Sequence, residues 1–380
     1  MLIAPDTQSL AGGIAFRAAT RADDAGLRNL LRENEIPGAV SVTLEREPSF
    51  FHATEIEGDR HQLLVACDVN GEIIASGARA SRVLFVNGQE QRVGYLGQLR
   101  IARAHRKRRG LLFEGYAALR QLRGDDGMPF DITSIMADND VAMRLLTRGL
   151  RGLPRYAPIA RVVTLVIPTR GRAKVEAARD IEIVPGSTES LPEIADCLQR
   201  NLRRFQFAPR WTSEDLRDPA RCRGLIPGDF LLAQRGGQVV GCVAIWNQRA
   251  FKQVVVRGYS PWVRRLRPFL NAASPWLSVP HLPAPGMSLE HAFLSHVAID
   301  GDDGRIFHSL VARARETAHM RGLSALLCGL TEGNPMLAGL RALFGKHALT
   351  NVLHSVDWGE GQAALAALDS RPVHVEVAVL

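Results

Sequence analysis

The sequence predicts an α/β protein: mixed, twisted sheets flanked by helices, built as two units of similar design. Three observations predict this. Short alternating apolar runs are interspersed with segments of helical periodicity. Asn-Gly and Gly-Gly pairs sit between alternating runs, the signal of tight hairpins. The same order of elements then recurs in the second half, which points to a duplicated unit. At ~150 residues per domain, 380 residues also suit two domains.

The first ten residues read as a loose tail, followed by a strand at Ile14–Arg17. Thr20 can cap a helix whose first turn carries Asp23 and Asp24 and whose inner face carries Leu27, Leu30 and Leu31. Gln62–Asp68 and Glu72–Arg79 alternate on either side of Asn70-Gly71, and Asn87-Gly88 joins Val83–Val86 to Arg92–Ile101. A helix with Leu111, Leu112, Gly115, Leu119 and Leu122 on one face comes next. A strand (Asp131–Met136), a helix (Asn139–Thr147) and strands near Ile159–Ile167 complete the first unit, residues 1–168.

Residues 169–179 form a polar, basic linker behind Pro168. The second unit, 180–380, opens with a strand at Ile181–Val184 and a helix at Leu191–Leu202. Gly236-Gly237 then turns Phe230–Gln234 into Val239–Trp246. A proline-rich insertion, 250–287, carries Trp262 and Trp276 and is either a lid over an acceptor site or a loop packed on the sheet edge. Beyond it lie a strand (Ser288–Ile299), an acidic turn (Asp300-Gly301-Asp302-Asp303-Gly304) and a helix led by Ile306 and Phe307. A strand at Leu323–Gly329, a helix at Asn334–Phe344 and closing strands at Ala348–Val356 and Val373–Val379 end the chain.

Composition narrows the function. With 46% hydrophobic and 23% charged residues the chain can bury full cores, which excludes extensive disorder. The longest charge-free stretch, Pro268–Leu289, is interrupted by five prolines, so no membrane span and no membrane partner are expected. The start MLIAPDTQSL lacks a secretory pattern, and five scattered cysteines without a C-x-x-C pair suggest neither disulfides nor a metal site, as in the cytoplasm. The net charge of +8 is carried almost wholly by arginine, the side chain suited to forked contacts with phosphate or carboxylate.

The most informative segment runs from Val93 to Leu112: a strand, the basic run Arg106-Lys107-Arg108-Arg109-Gly110, then a helix. A helix start leaves free N–H groups and a partial positive charge, the elements of an anion site. The dipole supplies ~0.3–1 kcal/mol, and an arginine–phosphate contact near the surface of order 4 kcal/mol before desolvation. The alternative is a solvated cationic turn, but cations at a helix N-terminus oppose the dipole and need a compensating reason.

With this strand, cationic turn and helix the chain resembles the GNAT acetyltransferase superfamily, whose members open the helix with Arg/Gln-x-x-Gly-x-Gly/Ala. Here Arg109 and Leu111 depart from that pattern if it begins at Arg106, and Leu112 departs from it if it begins at Lys107. The later family signature, Asn-x-x-Ala-x-x-Leu-Tyr-x-x-x-Gly, is matched by Asn139, Ala142, Leu145 and Gly149, with Leu146 in the tyrosine position. The resemblance implies two GNAT-like acyl-CoA N-acyltransferase units, with acetyl-CoA (acyl-CoA) held by Leu99, Ile101, Arg106, Lys107, Arg108, Arg109, Gly110, Leu111 and Asn139. It covers the second unit only by element order. Asp302 and Asp303 would repel a diphosphate there, so that unit reads as one that has lost its cofactor.

The implied reaction is direct attack of an amine on the thioester, which needs proximity, proton removal, and stabilisation of the oxyanion and thiolate. Strand Val93–Ile101 has no Asp or Glu. Tyr95 is the candidate acid and Gln98 can position a water, though each also suits an ordinary sheet position. Strict alternation would put Tyr95 with Val93, Leu99 and Ile101, and Gln98 with Leu96 and Arg100 on the other face. Glu290 and His291 are candidate acceptor-pocket residues, and His291 or His296 a candidate base, against the plainer reading of core histidines. The expected partners are a small-molecule or peptide amine and a second copy in a homodimer. Two other functions compete: a non-catalytic acyl-CoA sensor or assembly protein, and a nucleic-acid binder using the arginines of 100–109, 200–210 and 257–267. The last lacks any accompanying nucleic-acid motif, so nucleic acid is not the expected partner.

Overall fold

A computed structural model describes residues 8–10, 13–171, 178–277 and 281–380; residues 1–7 of the expected tail and 172–177 of the expected linker lie outside it. The first half runs β1 (Gln8–Leu10), β2 (Ile14–Ala18), α1 (Asp24–Glu33), β3 (Val40–Glu45), α2 (Phe50–Glu57), β4 (Arg60–Cys67), β5 (Ile73–Val86), β6 (Gln89–Ile101), α3 (Arg109–Arg123), β7 (Asp131–Met136), α4 (Asp140–Leu146) and β8 (Arg155–Pro168). The second continues with β9 (Glu182–Pro185), α5 (Leu191–Leu202), α6 (Ser213–Arg217), β10 (Phe230–Arg235), β11 (Gln238–Trp246), β12 (Gln253–Tyr259), α7 (Pro261–Leu277), β13 (His291–Ile299), α8 (Gly304–Met320), β14 (Ala325–Thr331), α9 (Leu337–Phe344), β15 (Ala348–Asp357) and α10 (Gln362–Ala366).

The hairpin signals are answered by geometry. Asn87 and Gly88 both have positive φ (52° and 74°), as do Gly236 and Gly237 (56° and 82°), and each pair closes a two-residue turn, Val86 opposite Gln89 and Arg235 opposite Gln238. The expected tail instead contributes an edge strand, with Gln8–Leu10 antiparallel to β2.

Among the described residues thirteen strands join in one sheet, in the order β1-β2-β4-β5-β6-β7-β15-β8-β14-β13-β11-β10-β9. β2-β4-β5-β6 are antiparallel and β6-β7 parallel; β9-β10-β11-β13 and β13-β14 repeat that pattern. β15, the last strand of the second half, lies beside β7, while β8, the last strand of the first, lies beside β14. β8 and β15 pair with each other from Ala348 opposite Leu165 to Asp357 opposite Arg155. Each half therefore completes the other's sheet.

The cores follow this plan. One lies between α3 and the first-half sheet (Phe16, Leu96, Leu111, Tyr116, Ile135), another beneath α8 and α9 (Leu294, Phe307, Leu310, Leu340). A third forms where α2 and α5 meet, around Ile56, Leu198, Trp211 and Trp246. The insertion is β12, paired antiparallel with β3, followed by α7, with Pro261 at the favoured first helical position.

Candidate functional site

β6 and β7 are paired only at Gly94–Asp131 and Tyr95–Ile132. The Thr133 hydroxyl donates to the Leu96 carbonyl (2.7 Å), and no further β6–β7 ladder pair follows. Gln98 and Leu99 stand opposite the single residue Gly77, a β-bulge in which Gln98 takes φ 53°. Leu99 is 40% exposed at this opening. Main-chain donors and acceptors of an edge opened inside a sheet require partners, and an extended ligand carrying amides can supply them.

The second half repeats the opening and then fills it. β13 and β14 pair from His291–Ala325 to Phe293–Leu327, and His296 (φ 52°) with Val297 stands opposite Val243. Here the His296 N–H donates to the Glu376 carboxylate (2.8 Å), and Val377 packs where a side chain on Gly329 would stand. Trp211, Phe230 and Trp246 enclose the His296 ring at 4.4, 5.3 and 5.5 Å. The segment expected as a closing strand, Val373–Val379, is instead a wedge. It touches Gln206 in one bridge and ends in a 3-10 turn at Val377–Val379, because its acceptors and apolar groups serve this cleft rather than a ladder.

The wedge has a pH signature. Burial raises the Glu376 carboxyl from 4.5 to about 7, against the pull of N–H donors from His296 and Ala378 and the charge of Arg82. Between those values the native state keeps a proton that the unfolded chain releases, so stability falls as pH rises through the window. Burial lowers His296 to about 3, so its own contribution is lost in the opposite direction, as pH falls below 6.5. Glu376→Gln is expected to abolish the alkaline decline, stabilising the protein at pH 8 relative to pH 5 by on the order of 2–3 kcal/mol compared with the parent. Urea unfolding at both pH values measures this, and identical pH slopes for parent and variant would disprove it.

The cationic elbow is formed by a 3-10 turn at Arg103–His105 and by the start of α3, with Arg108 as N-cap. Arg106, Lys107, Arg108 and Gly110 are exposed, whereas Leu111 is buried in the α3 core. The Arg109 side chain lies outside the described residues. Two elbow amides are engaged internally: Arg108 N–H on the His105 carbonyl (3.0 Å) and Leu111 N–H on the Arg108 carbonyl (3.3 Å). The Arg106 fork reaches Asn34 (2.8 Å) and the Ile101 carbonyl (3.3 Å), so it ties the elbow to the end of β6. Asn139 caps α4, accepting from Ala142 N–H (3.1 Å). The second-half elbow is anionic and internally answered: Arg200 pairs with Asp300 and Arg204 with Asp302, both at 2.8 Å, while Asp303 caps α8.

On the face of β6 opposite α3, the bulge overturns the simple alternation. Ile101 joins Leu96 in the α3 core, while Tyr95, Gln98 and Arg100 share the other face. Gln98 Nε2 lies 3.5 Å from Glu57, a buried carboxylate at the end of α2 that is ion-paired with buried Arg46. Burial, and then the Glu57 charge, pushes the Tyr95 hydroxyl far above its ordinary value; backbone hydrogen bonding at Ser134 pulls the other way. Tyr95 therefore stays protonated and keeps a proton that it can donate. Lys252, between β11 and β12, completes the cluster. Burial lowers it to about 8, with Glu57 opposing and Arg46 adding, and its ammonium bonds the carbonyls of Ala378 (3.4 Å) and Leu380 (3.1 Å).

Of the expected pocket residues, His291 is buried beside this cluster, its ring on the Leu289 carbonyl (3.1 Å), and burial followed by the charges of Arg249 and Lys252 lowers it to about 4. Glu290 is exposed, and its main chain, not its side chain, binds Ser324. Sequence reasoning missed Glu57, Arg46 and Lys252. The available signal was the mixed run Phe50–Glu57, in which Glu55 and Glu57 flank Ile56 just before Gly58.

No protein-family profile matches the sequence, and no curated protein sequence matches it. Solved structures do match the fold. A GCN5-related N-acetyltransferase from Sphaerobacter thermophilus superposes with TM-score 0.55 at 14% identity, covering 92% of this chain and 97% of that one. N-myristoyltransferase from Saccharomyces cerevisiae with bound myristoyl-CoA gives 0.60 at 12% identity, covering 93% and 80%. The GCN5-related glucosamine N-acetyltransferase region of a fungal multi-domain GH3 β-N-acetylglucosaminidase gives 0.55 at 12%, covering 90% of this chain and 38% of that one. The chain has the GNAT fold.

Proposed function

We propose that the protein is an acyl-CoA-dependent N-acyltransferase whose first unit, residues 1–168, binds the cofactor and whose second unit, 180–380, shapes the acceptor side. One contrast carries this reading: the two equivalent sheet openings are treated differently. The β13–β14 opening is plugged by Glu376 and Val377 and faced by an acidic elbow. The β6–β7 opening has an exposed Leu99 and a cationic elbow. In this reading the acyl-CoA chain extends along Leu99 and Ile101, and Arg106, Lys107, Arg108 and Arg109 meet its phosphates. The amine enters beside Glu57, which takes its proton directly or through a water held by Gln98. Tyr95 donates a hydrogen bond to the departing thiolate.

A nucleic-acid role gains less support, because Arg200, Arg204 and Arg257 of the basic clusters are engaged by Asp300, Asp302 and Glu45. No helix among the described residues is long and apolar enough to cross a membrane. Acetyl-CoA and longer acyl-CoAs are expected to raise the melting temperature, reflecting ~2.7 kcal/mol at a hundredfold excess over Kd. Arg106→Glu combined with Arg109→Glu should abolish the shift. Absence of any shift at millimolar acyl-CoA overturns the reading.

A further inference from the structure

Helix α7 presents an apolar stripe to solvent. Trp262, Leu266 and Phe269 are 60, 46 and 73% exposed, and their i, i+4, i+7 spacing places them in one row. Arg265 is exposed beside that row, one turn from both Trp262 and Phe269, while exposed Arg264 lies across the helix from it. The helix cannot turn the stripe inward, because its opposite flank is fastened. Val263 is buried, Arg267 lies over the Tyr259 ring (5.7 Å) and donates to the Pro283 carbonyl (2.9 Å), and the Asn271 amide exchanges two hydrogen bonds with the Leu282 main chain (2.9 Å each). Around it the chain has no Asp or Glu from Phe230 to Leu289, while Arg249, Lys252, Arg257, Arg264, Arg265 and Arg267 fall in that span.

We infer that α7 docks the protein on the surface of an anionic lipid bilayer, with Trp262, Leu266 and Phe269 inserted at the level of the headgroups and Arg265 against lipid phosphates. A fixed helix with aromatic and aliphatic side chains on one row and a guanidinium group beside it is the composition of an interfacial helix, and tryptophan favours that depth. The charge decides against a second copy of this chain as the occupant. A two-fold contact through the same row would bring Arg265 of both copies together with no acid on α7 to answer them. This goes beyond the transferase reading and departs from the expectation that no membrane takes part, which rested on the absence of a spanning segment. Docking would bring the surface near the candidate acceptor side, since α7 follows β12, which pairs with β3 immediately before Arg46.

The test is flotation of the full chain with vesicles of phosphatidylcholine alone and with added phosphatidylglycerol. Binding is expected to the anionic vesicles and to be weaker on neutral ones by at least about tenfold. The variant Trp262→Ser/Leu266→Ser/Phe269→Ser should lose binding, and Arg265→Glu should lower it by at least about tenfold. All four side chains are exposed, so the melting temperature should hold, and the charge variant gives a second reading should the apolar one fail to fold. Failure to bind either vesicle, equal binding to both, unchanged binding by the charge variant, or a parent dimer that the apolar variant dissociates would each overturn the inference.

Discussion

Glu57→Gln is expected to lower turnover by about 10²–10⁴ while leaving acyl-CoA affinity unchanged, the loss typical of removing a general base. Glu57 is a carboxylate placed against the bulge of β6, with Gln98 on one side and Arg46 on the other. Its charge also reaches Tyr95 and Lys252. Glutamine keeps an oxygen for Arg46 to donate to, so the fold should survive, but it cannot take a proton from an ammonium group. Glu57→Asp retains the charge and withdraws it by one methylene, so it should recover part of the lost rate. Thiol release in the presence of a panel of amines reads kcat and KM separately. A variant with unaltered kcat would remove Glu57 from the proton path and leave it as a partner for Arg46.

The parts of this arrangement that were legible in the sequence are those encoded locally. Asn87-Gly88 and Gly236-Gly237 need positive φ at two successive residues, and few other pairs supply it. The strand, cationic turn and helix of Val93–Leu112 are contiguous, as is the Asn139 cap of α4. What escaped is set by tertiary context. α2 buries Phe50, Ala53, Thr54, Ile56 and Glu57 around most of its circumference, so it shows no polar face by which a helix is recognised. β3 finds its partner in β12, some two hundred residues away, and no local pattern encodes that pairing. The bulge at Gln98 inserts one residue and reverses every facing assignment beyond it, which is why Ile101 parts from Tyr95 and Arg100 joins it. The wedge at Val373–Val379 carries the apolar residues of a strand but spends them in the β13–β14 cleft of its own half.

Asp131→Ala is expected to cost about 3–5 kcal/mol, a large share of the 5–15 kcal/mol by which domains are ordinarily stable. Asp131 is fully buried at the last paired stretch of β6 and β7, opposite Gly94, where any side chain on the glycine would collide with its carboxylate. Arg79 Nε donates to both Asp131 oxygens (2.9 Å each), its Nη1 to Gln62 (3.0 Å) and to Asp126, and Trp358 Nε1 donates to Asp131 Oδ2 (2.7 Å). Burial works against the Arg79 charge, but Asp131 and then Asp126 outweigh it and raise its pKa. Without Asp131 a guanidinium only 3% exposed keeps a single carboxylate, and the Trp358 N–H loses its acceptor. Trp358 directly follows β15, so the damage would extend from the first-half sheet into the strand that the second half lends it. A double-mutant cycle with Arg79→Met separates this network from simple cavity formation. If the cost arises from the stranded charge, the double variant should be more stable than the Asp131→Ala single variant, because the group left uncompensated is gone. If the cost arises from lost packing, the two penalties add, and urea unfolding with equal m-values in all four proteins would show which holds.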